Sequence, residues 1–311
     1  MTITSDTSAI NKIRSILPPS ISNSLSRLDR TTLDRISEIR LRKNRIATLT
    51  VDGKNLVLSL SGLTNDIRSG IRLSDTDIDD FIYKFCKGSV YSHEDTLSDF
   101  YIVNDSIRVG LSGDAVYKND KLISIGNISG VCIRIPRHVK DCSIKLMNHI
   151  KDSGFPDGKG ILIVSPPGVG KTTLLRDLAQ KLSSDRELGL KRVCVIDERN
   201  EIFMENIFSD CCIDFLSGVG KIKGLEIASR VLSPEIIICD EIASPDEAEK
   251  ITRHKNTGVV FIASVHSDCH ENVMRKDYIE KMFKQGVFSH TYTLSRSGSK
   301  VLGELSEYKD V

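Results

Sequence analysis

The stretch Gly160-Ile-Leu-Ile-Val-Ser-Pro-Pro-Gly-Val-Gly-Lys-Thr-Thr173 decides the fold of this chain. An apolar run of strand length leads into a glycine-rich turn, and leucines at helical spacing follow from Leu174 onward. A strand, a glycine-rich loop ending in Lys-Thr, and a helix form in that order the phosphate-binding P-loop. The sequence therefore predicts a nucleotide-binding domain of the α/β class.

The residues of this loop have separate tasks in holding a nucleotide. Gly168 and Gly170 let the backbone wrap closely, so that amide N–H groups at a helix N-terminus point at phosphate oxygens. Lys171 places its ammonium group on the β- and γ-phosphates, and the Thr172 hydroxyl can ligate Mg²⁺. The first position of the pattern holds Ser165 instead of glycine, and a small side chain is sufficient there. We predict that ATP is bound by Ser165, Pro166, Pro167, Gly168, Val169, Gly170, Lys171, Thr172 and Thr173, with Thr172 as one of the Mg²⁺ ligands.

A second strand ends in two carboxylates. Residues 235–239 form an apolar run that is followed by Asp240 and Glu241. A P-loop needs an acidic partner on a neighbouring strand, where Asp240 would hold Mg²⁺ and Glu241 would polarise the attacking water. Ligands bind at the carboxyl ends of the strands in such sheets. The pair favours nucleotide hydrolysis, and two surface carboxylates at a strand end are the alternative interpretation.

Two further strand ends carry polar groups at the same predicted edge. Asp197, Glu198 and Glu201 follow one apolar run, whereas Ser264 and His266 end another. A serine or a histidine at that place can hydrogen-bond the terminal phosphate of a nucleotide. The alternatives are a capping role for Asp197 and an ordinary loop position for His266. The convergence of four strand ends on one edge favours the functional interpretation.

The two halves of the chain have different patterns. The second half contains continuous Val/Ile/Leu runs at 160–164, 192–196, 235–239 and 258–263. Such runs alternating with helical segments are typical of a parallel sheet covered by helices. The first half has short mixed elements, and it closes with a predicted helix at 144–150 and a turn-rich stretch at 154–160. We predict an α+β N-terminal domain over 1–152 and a P-loop ATPase domain over 153–311.

Three local patterns in the first half predict elements. Apolar residues within 25–39 recur at helical spacing and predict a helix. Within 46–60, apolar and polar residues alternate around Asp52-Gly53, which is typical of a β-hairpin. Asp75 or Thr76 is the predicted cap of a further helix.

Composition limits the possible function classes. The 311 residues are 40% hydrophobic and 27% charged, which excludes wholesale disorder. No run approaches the roughly 20 apolar residues that cross a bilayer. Lys and Arg total 43 against 42 acidic residues, so a net charge of +1 makes no general case for nucleic acid. The polar N-terminus lacks a hydrophobic signal core, and we therefore expect a cytoplasmic protein.

The eight cysteines are scattered and include no Cys-x-x-Cys pair. This distribution favours reduced, buried thiols over a disulfide framework. One local cluster, His266-Ser-Asp-Cys-His270, contains three potential zinc ligands but lacks a fourth. We therefore expect neither disulfides nor structural zinc.

An ordered series of motifs resembles one family along nearly the whole chain. The first half contains Ile39-Arg-Leu-Arg42, Ser89-Val-Tyr91, Ile107-Arg-Val-Gly-Leu-Ser-Gly113 and Ile133-Arg-Ile-Pro-Arg137. The second half contains the P-loop segment 166–177, Ile196-Asp-Glu-Arg199, Ser233-Pro-Glu235, Asp240-Glu241-Ile242 and Gln285-Gly-Val-Phe288. In this combination the chain resembles the stage III sporulation protein AA family, a relative of the type II and type IV secretion ATPases.

The resemblance implies a RecA-like P-loop core that hydrolyses ATP, with a smaller N-terminal domain that closes over the nucleotide. It also implies that Asp197, Glu198 and Glu201 form an acidic box near the γ-phosphate, and that His266 is a histidine box. We therefore expect catalytic roles for Glu241, Glu198 and His266. The implied assembly is a cytoplasmic homo-hexamer, held at the membrane by subunits of a membrane-embedded export or channel complex.

The chain departs from the family pattern at places that bear on the subunit interface and on nucleotide sensing. Ala243-Ser244 stands where the family has Gly-Arg, so an arginine that could couple subunits is missing there. Val265-His-Ser267 and Asp105-Ser-Ile107 replace Ala-His-Gly and Gly-Gly-His. An arginine that covers the transferring phosphate can supply several orders of magnitude in rate. The candidates for this role, of which we favour the first two, are Arg134, Arg137, Arg199 and Arg230.

The leading hypothesis is an ATP-hydrolysing motor of a sporulation-associated secretion or channel complex. A nucleic-acid-dependent RecA-like ATPase is one alternative, because a basic cluster is formed by Arg40, Arg42, Lys43 and Arg45. Against it, aromatic residues make up only 5% with no Trp, which leaves few stacking platforms for single strands. A nucleotide-dependent scaffold with little turnover is the other alternative. Nucleic acid is not expected as a partner.

Overall fold

The computed structural model describes residues 7–88, 100–104, 107–136, 138–155, 158–255, 257–297 and 300–308. Among the features named in the sequence analysis, residues 89–91, residues 105–106, residues 156–157 and Arg137 lie outside these ranges. The chain forms two compact units.

The compact units are Ile3–His138 and Val139–Val311. The predicted boundary lies later in the chain, at 152/153. The difference comes from the predicted helix at 144–150, which the structure has at Ile144–Ser153. Its apolar face is buried in the core of the C-terminal unit, so the helix belongs to that unit.

The described part of the N-terminal unit combines four α-helices with a seven-stranded sheet. The helices are α1 (Thr7–Arg14), α2 (Pro19–Leu25), α3 (Arg30–Leu33) and α4 (Asp75–Phe85), and a 3₁₀ turn spans Ile67–Ser69. The strands are β1 (Ile36–Arg42), β2 (Thr48–Val51), β3 (Lys54–Ser59), β4 (Gly62–Thr64), β5 (Tyr101–Asn104), β6 (Ile107–Lys118) and β7 (Lys121–Arg134). The order β4-β3-β2-β1-β7-β6-β5 is antiparallel throughout, which agrees with the predicted α+β class.

Two local predictions in this unit are confirmed. The strands β2 and β3 form the expected hairpin, with Asp52 and Gly53 at φ angles of 50° and 78° between them. The helix α4 is present, but its cap is Ser74, one residue before the predicted cap. Ser74 and Asp77 form a capping box, in which each side chain accepts from the other residue's backbone N–H.

The predicted helix over 25–39 is wrong, because only residue 25 and residues 30–33 of this stretch are α-helical. The chain forms α2 and α3 and then enters β1 at Ile36. The pairing of β1 with β2 is irregular between Ile36 and Glu38, which places an extra residue in the strand. This bulge puts Ile36 and Ile39 in the same core, three positions apart. A strand interrupted in this way imitates the spacing of a helix.

The described part of the C-terminal unit contains a second seven-stranded sheet. Its helices are α5 (Ile144–Ser153), α6 (Lys171–Ser184), α7 (Glu205–Phe208), α8 (Lys221–Ile227), α9 (Pro245–Lys255), α10 (His270–Met274) and α11 (Asp277–Lys284), with a π-helical turn at Ala228–Leu232. Its strands are β8 (Gly160–Ser165), β9 (Val193–Asp197), β10 (Ile213–Ser217), β11 (Ile236–Glu241), β12 (Val260–His266), β13 (Phe288–Ser297) and β14 (Lys300–Glu307). No described helix is long and apolar enough to cross a membrane.

The four predicted apolar runs are central strands of this sheet, whose order is β10-β9-β11-β12-β8-β13-β14. All neighbours are parallel except β13 and β14. In β8, Ile161 and Ile163 belong to one apolar cluster, whereas Leu162 and Val164 belong to a second. The strand is therefore covered on both faces, which explains its continuous apolar run. Its carboxyl end, with those of β9, β11 and β12, carries the predicted site residues.

The cysteines are free thiols. Cys194 and Cys239 are fully buried in β9 and β11. Burial raises the pKa of the Cys239 thiol to about 12, so this group stays protonated and packs as a small apolar side chain.

Candidate active site

The glycine-rich turn joins β8 to α6. Gly168 and Gly170 have φ angles of 73° and 124°, in the region that favours glycine. A Cβ atom at either position would meet nothing within 4 Å, so the backbone angle, and not crowding, requires glycine. Gly170 is the N-cap of α6 and has no side chain to satisfy the first-turn N–H groups. These donors and the helix dipole favour an anion such as phosphate.

Lys171 is the first residue of α6, and its side chain is only 8% exposed. Its Nζ atom lies 3.3 Å from Nε2 of His266, 3.6 Å from Oε2 of Glu241 and 4.0 Å from Oδ1 of Asp240. The carboxyl ends of two strands, β11 and β12, therefore meet around one ammonium group. The four residues were all singled out in the sequence, and their short distances follow from the parallel order of β11, β12 and β8.

Asp240 is buried near the end of β11. Burial raises the pKa of its carboxyl group, Lys171 and Arg199 lower that pKa, and Glu201 raises it. Within the described residues, the Oδ1 atom of Asp240 has no hydrogen-bond partner. A buried carboxylate oxygen without a donor fits a hard cation such as Mg²⁺, which prefers oxygen ligands. Thr172, half-buried in the first turn of α6, carries a second oxygen of the type this cation prefers.

The raised pKa of Asp240 predicts that Asp240→Asn stabilises the nucleotide-free protein. The ionised carboxylate costs free energy in the folded state, so folding stability falls as pH rises from 3.8 towards the raised pKa. The stability that Asp240→Asn gains over the wild type is therefore greatest above the raised pKa and disappears below about pH 4. We expect Tm at pH 7 to rise by roughly 2–4 °C. Thermal unfolding in EDTA across pH 4–8 measures it.

The exposed Asp210 provides the control for this prediction, because Asp210→Asn should leave Tm unchanged. A lower Tm of Asp240→Asn at pH 7 would contradict the prediction. It would mean that the attraction to Lys171 outweighs the cost of burying the charge.

His266 is the last residue of β12, and both of its ring nitrogens contact polar atoms of neighbouring residues. Its Nδ1 lies 3.3 Å from the carbonyl oxygen of Ser165, and its Nε2 lies 3.3 Å from Oε2 of Glu241 and 3.3 Å from Nζ of Lys171. A carbonyl oxygen can only accept, so the contact with Ser165 requires a hydrogen on Nδ1, whereas Nε2 faces both a donor, Lys171, and an acceptor, Glu241. A second proton on Nε2 would make its contact with Glu241 an ion pair.

Two other predicted polar residues have structural partners. Asp197 is fully buried and accepts hydrogen bonds of 2.8, 2.9 and 3.0 Å from the backbone N–H groups of residues 201–203. Burial raises the pKa of Asp197, and these three bonds oppose that shift. Ser264 donates to the backbone carbonyl of Asp240. Both side chains therefore fix the backbone at the ends of β9 and β11. Asp197 has a structural role, but it anchors the loop 201–203 and does not cap a helix, because α7 begins only at Glu205.

Glu198 does not join the group around Lys171. Its side chain is 45% exposed, and its described ion pair is with Nζ of Lys221 at 3.7 Å. Lys221, which is buried at the start of α8, was not among the residues predicted from the sequence. A signal was present, because Gly218-Val-Gly-Lys221 after β10 repeats the Gly-Val-Gly-Lys of 168–171 after β8.

Ser244, which stands where the related family has an arginine, has a local structural role. The Oγ atom of Ser244 accepts a hydrogen bond of 3.3 Å from the backbone N–H of Glu247, which caps α9. Of the two favoured arginines, Arg134 ends β7 in the N-terminal unit, with a side chain 62% exposed and 4.0 Å from Oε1 of Glu38. Arg137 lies outside the described residues.

The C-terminal unit contains three further arginines of interest. Arg199 is exposed in the turn after β9. Arg230 is exposed in the π-helical turn that leads to the amino end of β11, opposite the end that carries Asp240. Arg296, which was not predicted from the sequence, donates from its Nη2 to the carbonyl oxygen of Gly168 at 3.2 Å. Arg296 is therefore an additional cation at the P-loop.

Solved structures with a similar fold include an ATPase and a pilus retraction motor. The ATPase DotB of Legionella pneumophila has a TM-score of 0.61 at 16% identity, covering 88% of this chain and 78% of DotB. The pilus retraction motor PilT with bound ADP has a TM-score of 0.62 at 14% identity, covering 90% of this chain and 82% of PilT. The predicted RecA-like α/β fold with a preceding α+β domain is confirmed at this level.

Comparison of the sequence with known proteins identifies the family. Stage III sporulation protein AA of Bacillus subtilis (strain 168) is 28% identical over 309 residues, which span 97% of this chain and 95% of that protein. The family model described as "Sporulation stage III, protein AA" matches residues 8–307. A match of that length includes both units and every described residue of the site, and the chain belongs to the sporulation stage III protein AA family.

Proposed function

We propose that this protein binds Mg-ATP at the P-loop and hydrolyses it, as the motor of a sporulation-associated secretion or channel complex. The observation that carries the proposal is the group around Lys171, whose ammonium lies within 4.0 Å of Asp240, Glu241 and His266. A buried lysine between a glycine-rich phosphate loop and two carboxylates has the components that phosphoryl transfer requires.

Residues 165–173 would hold the phosphates, with Lys171 as the cation for the β- and γ-oxygens. Asp240 and Thr172 would hold Mg²⁺, which neutralises phosphate charge when it is bound. Nucleotide binding would turn Lys171 from the carboxylates towards the phosphates. Glu241 would then keep only its contact with His266 at 3.3 Å and could accept a hydrogen bond from the attacking water. Glu198 is the second candidate for that task.

The comparisons support the proposal at different levels. DotB is named an ATPase, and PilT is described as a motor with bound ADP. The relative over nearly the full length is named a sporulation protein. On this basis we propose a cytoplasmic homo-hexamer that reaches the membrane through the subunits of an export or channel complex.

The nucleic-acid alternative receives less support from the basic cluster than its sequence suggested. Arg40 lies 2.8 Å from Oε2 of Glu38, and Lys43 lies 2.7 Å from Oδ1 of Asp79. Two of its four cations are therefore already neutralised by acids of the same unit.

ATP turnover measured against protein concentration tests the proposal. We expect turnover per subunit to rise as the protein assembles, and to be the same with and without single-stranded DNA or RNA. Arg134→Ala or Arg137→Ala should lower turnover at least tenfold, because an arginine on the transferring phosphate is worth roughly 10³–10⁵ in rate. The control is Arg35→Ala, since Arg35 forms a surface pair with Asp52 at 3.0 Å.

Each other outcome identifies a different function. Stimulation by nucleic acid would favour the nucleic-acid-dependent ATPase. Assembly with nucleotide but without turnover would favour the scaffold. Turnover that depends neither on concentration nor on either arginine would contradict the coupled motor and leave a self-contained ATPase.

A further inference from the structure

Lys221 is a buried lysine outside the group around Lys171. It follows β10 as the first residue of α8, and its side chain is 4% exposed. Its Nζ atom lies 3.0 Å from Oε2 of Glu247 and 3.7 Å from Oε2 of Glu198, and it donates to the backbone carbonyl of Glu241. Lys221 itself follows β10, Glu198 follows β9, and Glu241 and Glu247 lie at and after the end of β11. The ammonium therefore connects the ends of three strands of the sheet.

The contacts of Lys221 fix the backbone that carries Glu241. The ladder between β9 and β11 ends at Cys239, and the pairing of β11 with β12 is irregular before Glu241. The backbone carbonyl of Glu241 lies beyond the end of the ladder with β9. It accepts its hydrogen bond from the Lys221 side chain instead. Its partner Glu247 also accepts a hydrogen bond of 2.9 Å from the backbone N–H of Ala243. The lysine and its carboxylate thus hold the segment 241–243 at two points.

Stability alone does not account for a lysine at this place. A buried ion pair gains little over apolar side chains of the same volume, because both charges lose their hydration. An ammonium that donates to one specific carbonyl does fix that carbonyl in space, which an apolar side chain cannot do. A carboxylate that orients water must be held within about 0.5 Å of its working position.

We propose that Lys221 is a positioning residue for Glu241, acting through the Glu241 carbonyl and the Glu247 carboxylate. This inference rests on the proposed ATPase function for its effect on rate. Lys221 acts through Glu241, so it should affect the rate of hydrolysis and leave the binding of nucleotide at the P-loop in place. Such a role is distinct from a general contribution to the fold.

The kinetic test is Lys221→Met, compared with Lys223→Met in the same helix. Lys223 is 70% exposed and pairs with Glu226 at 3.4 Å, so its loss should change nothing. We expect Lys221→Met to lower kcat for ATP at least tenfold with KM within about twofold. In a Glu241→Gln background, Lys221→Met should cause no further fall, because its effect passes through the missing carboxylate.

An equal fall in both backgrounds would overturn the proposal, since it would mean that Lys221 does not act through Glu241. Unchanged kcat in Lys221→Met would also overturn it. If Lys221→Met fails to fold because Glu247 is left as an uncompensated buried charge, Lys221→Met/Glu247→Gln removes both charges. The same tenfold loss of kcat is expected from that double variant, and wild-type kcat would overturn the proposal.

Amide hydrogen exchange separates the positioning from the ATPase activity. We expect the segment 241–244 to exchange at least tenfold faster in nucleotide-free Lys221→Met than in the wild type, and at the wild-type rate in Lys223→Met. Unchanged exchange in Lys221→Met would overturn the positioning role. Absence of ATP turnover in the wild-type protein would instead contradict the proposed function, while the exchange rates would still decide whether Lys221 holds this segment.

Discussion

Lys171→Ala is expected to lose Mg-ATP binding by about two orders of magnitude or more. The lysine is 8% exposed and sits among Asp240, Glu241 and His266, so its ammonium is the cation that makes an otherwise acidic pocket accept phosphate. Hydrogen bonds to charged groups contribute roughly 1.5–3 kcal/mol each, and two of them amount to a hundredfold or more in affinity. Titration calorimetry with Mg-ATP measures this change.

The same variant has a second consequence for the nucleotide-free protein. Without Lys171, two carboxylates share a half-enclosed site with no cation between them, so Tm should fall. Binding must therefore be compared at a temperature where thermal unfolding shows the variant to be folded. Lys181→Ala is the matched control, because Lys181 lies in α6 as well but pairs with Asp141 at 2.5 Å. Wild-type affinity in a folded Lys171→Ala would contradict the P-loop assignment.

The parallel sheet was predictable because its strands are buried on both faces. A strand such as β8, with Ile161 and Ile163 in one apolar cluster and Leu162 and Val164 in the other, can contain only apolar residues. The polar groups are then confined to the carboxyl ends of the strands. This is why the sequence alone could predict that Lys171 lies close to residues far along the chain, such as His266, which is 95 positions away.

The elements that were not predicted have weaker or misleading patterns. The bulge in β1 gave Ile36 and Ile39 the spacing of a helix. The edge strand β10 is only partly covered, so residues 213–217 form no continuous apolar run. Lys221 follows that edge strand and was missed for the same reason. Arg296 was missed because its contact with Gly168 depends on how far β13 extends past the end of β8.

Glu241→Gln is expected to bind ATP like the wild type and to hydrolyse it about 10²–10³ times more slowly. Glutamine keeps the shape of the side chain but cannot take a proton from water or draw it into position with a full negative charge. Phosphate contacts come from residues 165–173, so KM should stay within about threefold. The measurement is steady-state turnover with Mg-ATP, beside a direct binding titration.

The matched control for Glu241→Gln is a substitution of Glu235, the residue immediately before β11, at the amino end of the strand that Glu241 ends. Glu235 pairs with Lys191 at 3.1 Å, at the edge of the sheet opposite the site, and Glu235→Gln should hydrolyse ATP at the wild-type rate. If Glu241→Gln also keeps wild-type turnover, the water-orienting role passes to Glu198, and Glu198→Gln should then be the slow variant. In that case Lys221, 3.7 Å from Glu198, would act on the working carboxylate directly, because the ammonium that holds the backbone of Glu241 also pairs with the side chain of Glu198.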